Sequence, residues 1–468
     1  MATSWMPRPI RWRRPQRFLI IGAAFLVVAG TYTTAFLASR PAPSAQGAAA
    51  QPTTQSVPIP DGPPPAVTRS LDRIDQAIRV WSANLARDSE DFVSATNLGE
   101  LYYSRARLTG NVDDYTRARE AVDRALAAYP TGSAALLLRA QLLFATHDFV
   151  KARDAAQAIL AANPDQVAAL ATIGDAQLEL GQYDAAEHSF SALATRAPGP
   201  AVTARQAHLA ALRGDIALAN ALAARAIREA RAAGATPADR SWYEYLAGYL
   251  AFQFGELPLA EREFRAAAAD WPGSYLALAG LARTRAAQGA SQEAIGLYQK
   301  AIAIVPQPEF LAALGDLFQL SGRRQEAAAQ YAIVRAIGQL SKAQAQLYNR
   351  QLVLFDANHG QSLDEAVTLA ERELATRKDV YGWDAYSWAL YARGRYADAD
   401  RAMRSARATG TVDPLLDYHE GMIDAALGRT AQARKLLTAA LDRNPGFDPL
   451  QASRARATLV HLTDGLAS

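Results

Sequence analysis

Histidines, cysteines and paired carboxylates are the side chains that most often carry chemistry, and in this chain they are thinly spread. The six histidines are His147, His188, His208, His359, His419 and His461. No two stand at the i, i+4 spacing of a helical zinc site, and there is no H-E-x-x-H. The chain has no cysteine, which removes thiol nucleophiles, zinc ribbons, iron–sulfur clusters and disulfides together. No phosphate loop, G-x-S-x-G elbow or dinucleotide fingerprint is present. The adjacent acids Asp113-Asp114 and Asp364-Glu365 fall at expected helix starts, where they complement the positive end of the dipole. These patterns predict no metal, no cofactor and no enzymatic activity. A site split across several helices is the one form an enzyme could still take.

Aromatic surface is better supplied. Trp242, Tyr245, Tyr249 and Phe252 recur at intervals of three, four and three residues, on one face of a helix. Tyr381, Trp388 and Tyr391 repeat the theme further on, followed by Tyr418. Rings that carry one polar handle anchor interfaces well. Two readings follow: the eight rings form the wall of a partner-binding groove, or they pack between adjacent helices or fill a narrow interior.

The elements that would hold these rings repeat. Pro130, Pro164 and Pro198 are spaced 34 residues apart, as are Pro272 and Pro306, and Pro445 closes a last unit. Twelve residues before each lies an alanine: Ala118, Ala152, Ala186, Ala260, Ala294 and Ala433. Ala219, Ala327, Ala366 and Ala399 keep the phase where the proline is missing. Within a unit, one amphipathic stretch leads through a glycine turn such as Gly181-Gln182-Tyr183 into a second, which a proline stops. Neither stretch can bury its apolar stripe alone, so neighbouring units must stack.

This grammar resembles the tetratricopeptide repeat family over roughly residues 90–445. In that family a small residue of the first helix packs against a small residue and an aromatic or apolar residue of the second. The matching first-helix positions are Gly99, Ala140, Gly174, Ala207, Gly248, Ala282, Gly315 and Gly421. The second-helix partners include Phe190, Phe264, Tyr298, Tyr331 and Leu437, and the turn glycines run from Gly181 to Gly428. The resemblance implies a right-handed, all-α solenoid of about ten helical hairpins. It further implies a concave groove, lined by first helices, that binds a protein or peptide. Three places depart from the pattern: an insertion between the helices of the first unit, a longer link at Ala232 to Asp239, and an eighth unit without a first-helix Gly or Ala.

The N-terminus reads differently. Phe18 to Leu37 is a run of 20 uncharged residues, which as a helix spans roughly 30 Å, a hydrocarbon core. Residues 1–40 hold six arginines and no acid, five of them before the run. The positive-inside rule then leaves the N-terminus in the cytoplasm and the remainder outside it. A cleaved leader is the alternative, with Ala45-Gln46-Gly47 or Ala48-Ala49-Ala50 as processing sites. The rest of the chain carries three more acids than bases, which argues against a nucleic-acid-binding body.

The expected organisation is a basic tail (1–17), a transmembrane helix (18–37), a Pro/Ala-rich spacer (38–66), a capping helix (67–89), the array (90–449) and a second cap (450–468). The Ala- and Arg-rich composition points to a bacterial chain. The expected function is a membrane-anchored scaffold or adaptor whose partner is a protein or peptide; the oligomeric state is left open. The alternatives are a structural subunit of an envelope or transporter assembly that uses the convex face and the span, and an enzyme with an unrecognised site.

Overall fold

The computed structural model describes residues 65–343 and 349–464. The basic tail, the apolar stretch 18–37 and nearly all of the spacer lie outside the described residues. Among the described residues no helix is long and apolar enough to cross a membrane.

Every element among the described residues is an α-helix. α1 (Pro65–Arg87) precedes ten hairpins. The first four are α2 (Phe92–Thr109) with α3 (Val112–Ala128), α4 (Ser133–Ala145) with α5 (Phe149–Ala162), α6 (Ala169–Glu179) with α7 (Tyr183–Arg196), and α8 (Pro200–Leu212) with α9 (Ile216–Ala232). The middle three are α10 (Pro237–Gln253) with α11 (Leu257–Asp270), α12 (Tyr275–Ala287) with α13 (Ser291–Ile304), and α14 (Pro308–Leu320) with α15 (Arg324–Ala343). The last three are α16 (Asn349–His359) with α17 (Leu363–Leu374), α18 (Val380–Ala392) with α19 (Tyr396–Ala406), and α20 (Pro414–Ala426) with α21 (Thr430–Arg443). α22 (Gln451–Asp464) follows.

The repeat residues explain the hairpins. All ten periodic alanines are at most 1% exposed, so a larger side chain has no room at any of them. Opposite them the first helix is small. A Cβ on Gly248 would come within 2.8 Å of the Phe264 ring, and one on Gly421 within 2.9 Å of Leu437. At Gly174 and Gly315 it would overlap Phe190 and Tyr331 outright. In the third, fifth and seventh hairpins a ring is therefore laid across a bare stretch of helix, and in the tenth Leu437 takes the ring's place. A fully buried Phe190 stabilises the fold by about 1.5–3 kcal/mol relative to exposure. Side-chain caps start many of the helices: Asp91 accepts from Ser94 N, Asp215 from Leu218 N and Asp379 from Gly382 N.

The departures from the repeat have local causes. The insertion in the first unit is not a loop. It extends α2 to Thr109, because its residues are mostly good helix formers up to Gly110, which adopts the left-handed conformation and ends the helix. The link at 232–239 shrinks to four residues, since α9 runs to Ala232 and Thr236 caps a helix that begins at Pro237. In the ninth unit the small first-helix residue is Ser387, twelve residues before Ala399, whose carbonyl accepts its hydroxyl proton.

Contacts do not stop at neighbouring units, as a simple linear array would require. The coil turns back on itself, so that the links before α18, α20 and α22 lie against the helix turns of the third to sixth units. Lys378 N donates to Glu179 O and Val380 N to Tyr183 Oη. Thr411 donates to Leu212 O, Gln253 Nε2 to Val412 O, Asn444 Nδ2 to Phe252 O and Arg283 Nη2 to Phe447 O. Val380 and Leu416 join the apolar cluster of the third and fourth units. Beside them Arg377 meets Glu179 at 2.5 Å and Arg350 meets Asp379 at 2.5 Å, all four nearly buried. Arg350 and Arg377 hold the Asp379 carboxyl below its usual range against the opposing effect of burial.

Candidate functional site

Four of the eight expected ring positions lie on α10. Tyr245 and Tyr249 are half-buried, with ring centroids 6.3 Å apart, and Tyr245 also leans on Phe264 at 5.9 Å. Trp242 is half-buried edge-on to Tyr243 within the core of the fourth and fifth units. Phe252 is buried, capped by the Arg283 guanidinium 4.3 Å above its ring.

The other four split. Tyr381, on α18, crosses the interior to α10: its hydroxyl donates to Asp413 Oδ2 at 3.2 Å and accepts from Gln253 Nε2 at 2.9 Å, and it lies close enough to the Tyr249 phenol for the two to interact electrostatically. Trp388, Tyr391 and Tyr418 form a separate cluster instead. The Trp388 indole stacks between Tyr391 (4.6 Å) and His419 (4.0 Å), and its Nε1 donates to Asn358 Oδ1. Trp388 is 2% exposed and Tyr418 is fully buried against Phe447.

Phe252, Trp388 and Tyr418 are therefore core residues, and their expected place in a binding wall is corrected. The reason is their neighbours: His419 of α20 stacks on Trp388, Phe447 and α22 close over Tyr418, and Arg283 and Leu281 of α12 pack on Phe252. Helical spacing reports only which face a ring is on. The packing alternative holds for these three, while Trp242, Tyr245, Tyr249, Tyr381 and Tyr391 stay half-open.

The structure adds polar residues to the interior that the sequence did not single out. Arg283, Glu309 and Tyr275 stand close enough to Tyr245 to act on its phenol electrostatically. Burial pushes Glu309 up to about 7, although Gln351 and Arg283 pull the other way. It pushes Asp413 up to about 6 and the Tyr249 phenol to about 12. Glu309 opens α14 and Asp413 caps α20; at the N-terminal ends of first helices, both look in sequence like ordinary helix starters. Between the seam and this interior is a small cavity of about 20 Å³, room for about one water, lined by Glu179, His208, Tyr249, Arg350, Asp379 and Tyr381 among others.

The arrangement offers aromatic faces, phenol hydroxyls and carboxylates. Among the described residues no three His, Asp or Glu side chains gather as a metal site. Two His–carboxylate pairs occur away from the interior rings. His359 Nε2 lies 2.9 Å from Asp316, whose carboxylate also accepts from Tyr331. His419 Nδ1 lies 2.8 Å from Asp384, but both side chains are buried beneath Trp388, where no substrate reaches.

The fold defines an all-helical hairpin solenoid. Family models described as tetratricopeptide repeat match residues 103–167, 143–209 and 245–307. No curated protein matches the chain. Among solved structures, a tetratricopeptide protein named YrrB, described as having an unusual peptide-binding site, is 17% identical, with 40% of this chain and 93% of that one covered and a TM-score of 0.27. The type IV pilus biogenesis factor PilW is 21% identical, with 44% and 92% covered and a TM-score of 0.37. The P58(IPK) repeat domain is 14% identical, with 81% and 98% covered and a TM-score of 0.22.

Proposed function

We propose that this protein is a non-enzymatic scaffold, tethered to a membrane by residues 18–37, that binds a protein or peptide partner along the interior of its coil. The observation that carries the reading is the convergence of Tyr245 and Tyr249 from α10 with Tyr381 from α18, all half-buried and all with hydroxyls inside the coil. Such rings lose little conformational entropy on binding and supply both apolar area and a hydrogen bond. The acidic and phenolic lining around Glu309 and Asp413 favours a segment that brings basic or amide donors. The tether rests on the uncharged run and the arginines before it.

The test begins with a pull-down from solubilised membranes using the full chain. Tyr245→Ala combined with Tyr249→Ala should keep wild-type helicity and weaken capture of the identified partner by about thirtyfold or more, the loss expected when a buried anchor worth about 2 kcal/mol is truncated. A folded double mutant that binds normally rejects the wall. Binding loss that merely follows a collapsed melting transition shows the two tyrosines to be packing residues.

A further inference from the structure

We propose that the seam between successive turns of the coil is a clasp, and that the form described here is the closed one, in which the tyrosine wall is occupied by itself. The inference rests on the binding reading above and concerns how that site is reached.

The seam is built link against turn. Residues 377–382 sit on the turn after α6, residues 409–413 on the turn after α8, and residues 443–447 on the turns after α10 and α12. Its bonds run from backbone to backbone, between side chain and backbone, and between side chains, the last including the nearly buried Arg377–Glu179 ion pair and the Gln253–Tyr381 hydrogen bond, while Val380 and Leu416 add apolar support. Helix-on-helix packing, which fixes each hairpin, is not what joins the two turns. A coil of stacked hairpins can therefore part here through small rotations spread over many unit interfaces, with every hairpin left intact.

Three turn glycines show that the approach is a specific fit. A Cβ on Gly181 would lie 2.5 Å from the Lys378 carbonyl oxygen, and one on Gly214 or Gly255 would overlap the carbonyl of Gly410 or Arg443. The equivalent glycines Gly289, Gly322, Gly394 and Gly428 have the same left-handed backbone and open space around them. The repeat needs a glycine at this turn for its conformation. The seam needs it a second time, for closeness.

The clasp and the wall share residues. Gln253 donates both to the seam carbonyl of Val412 and to the Tyr381 hydroxyl, while Asp413, next along the link, accepts from Tyr381. The Tyr381 hydroxyl is thus satisfied by Gln253 and Asp413 across the interior, beside the Tyr249 phenol, as long as the turns are shut. A partner that takes this hydroxyl must replace these bonds, and parting the seam removes them.

The absence of native cysteine gives a clean probe. Tyr245→Cys is introduced into the full chain, and its rate of labelling by a maleimide dye is measured together with the radius of gyration by small-angle scattering. Gly214→Ala and Gly255→Ala are compared with Gly289→Ala and Gly394→Ala. Gly255, Gly289 and Gly394 share a φ of 82°, so an alanine there carries the same backbone strain, and only Gly255 faces a carbonyl. The clasp predicts that the two seam variants expand the chain and label about tenfold faster or more, because access through a local opening scales with the open population. The two controls should stay at the wild-type values. Equal behaviour of all four overturns it, as does expansion without faster labelling. Should circular dichroism show a seam variant unfolded, Thr411→Val removes one cross-seam hydrogen bond with little change of volume; faster labelling supports the clasp and unchanged labelling rejects it. A captured partner that binds wild type and Gly255→Ala equally defeats the clasp and leaves the wall standing. Faster labelling together with binding that ignores Tyr245 and Tyr249 defeats the wall and leaves the clasp.

Discussion

Side chains of one type divide here by what covers them. Tyr245 and Tyr418 are both first-helix tyrosines, yet one is half-open and the other sealed beneath Phe447. Buried charge shows the same dependence. Arg205 and Asp175 form a two-bond pair at 2.9 Å on both arms in the core, and burial still pushes Asp175 up to about 7 against that partner. Glu309 gives the most accessible test of this electrostatics. Its folded value of about 7 lies above its ordinary value of 4.5. Between those values the folded state holds more protons than the unfolded one, so the contribution of Glu309 to stability falls as pH rises through this window. Glu309→Gln removes that dependence. In urea unfolding the variant should be the more stable form at about pH 8, with its advantage shrinking towards about pH 5. A gap that is constant across the range would show Glu309 to be solvated like a surface acid.

A hairpin such as the third depends on a bare patch on one helix and a ring on the other. Gly174→Ala places a methyl group inside the Phe190 ring, so Phe190 or the whole of α7 must shift, at a cost of about 1–3 kcal/mol. Chemical denaturation measures the loss, and native-state hydrogen exchange shows where it goes. Protection should fall in α5 and α8, the neighbours in sequence, and also in residues 377–382, which rest on the turn that ends α6. A strictly linear solenoid would spare 377–382, so this one segment separates the two pictures. The ten alanines and the partners of Gly174, Gly248, Gly315 and Gly421 were legible in the sequence because the hairpin contact joins residues about 12–16 apart in the chain. Ser387 was legible too, at the same distance before Ala399, had Ser been admitted beside Gly and Ala. The Phe252 and Trp388 assignments failed because their covering residues come from other units.

At the scale of the whole molecule, the described coil winds back so that its last units rest on its third to sixth, and its proposed tether precedes it in the chain. Residues 1–40 carry six arginines against no acid, and under the positive-inside rule that bias supports the proposed cytoplasmic N-terminus. A reporter active only outside the cytoplasm, fused after Ser468, should work in the full chain. Activity of a cytoplasm-only reporter at that position instead would reverse the orientation and with it the compartment in which the coil meets its partner.

The sequence by itself determined the unit: its helical hairpin, its period and the small-residue and ring contacts inside it. It also excluded cysteine-based chemistry outright. These follow from local periodicity and from contacts within about one repeat, which the order of residues encodes directly. Only the tertiary structure decided how far the coil winds before its turns meet. That angle accumulates from small rotations at many unit interfaces, none of which leaves a mark that a single sequence can show. The winding in turn fixed which rings became core, why Gly181, Gly214 and Gly255 are crowded while Gly289 and Gly394 are free, and how Gln253 and Tyr381, 128 residues apart in the chain, came to share one hydrogen bond.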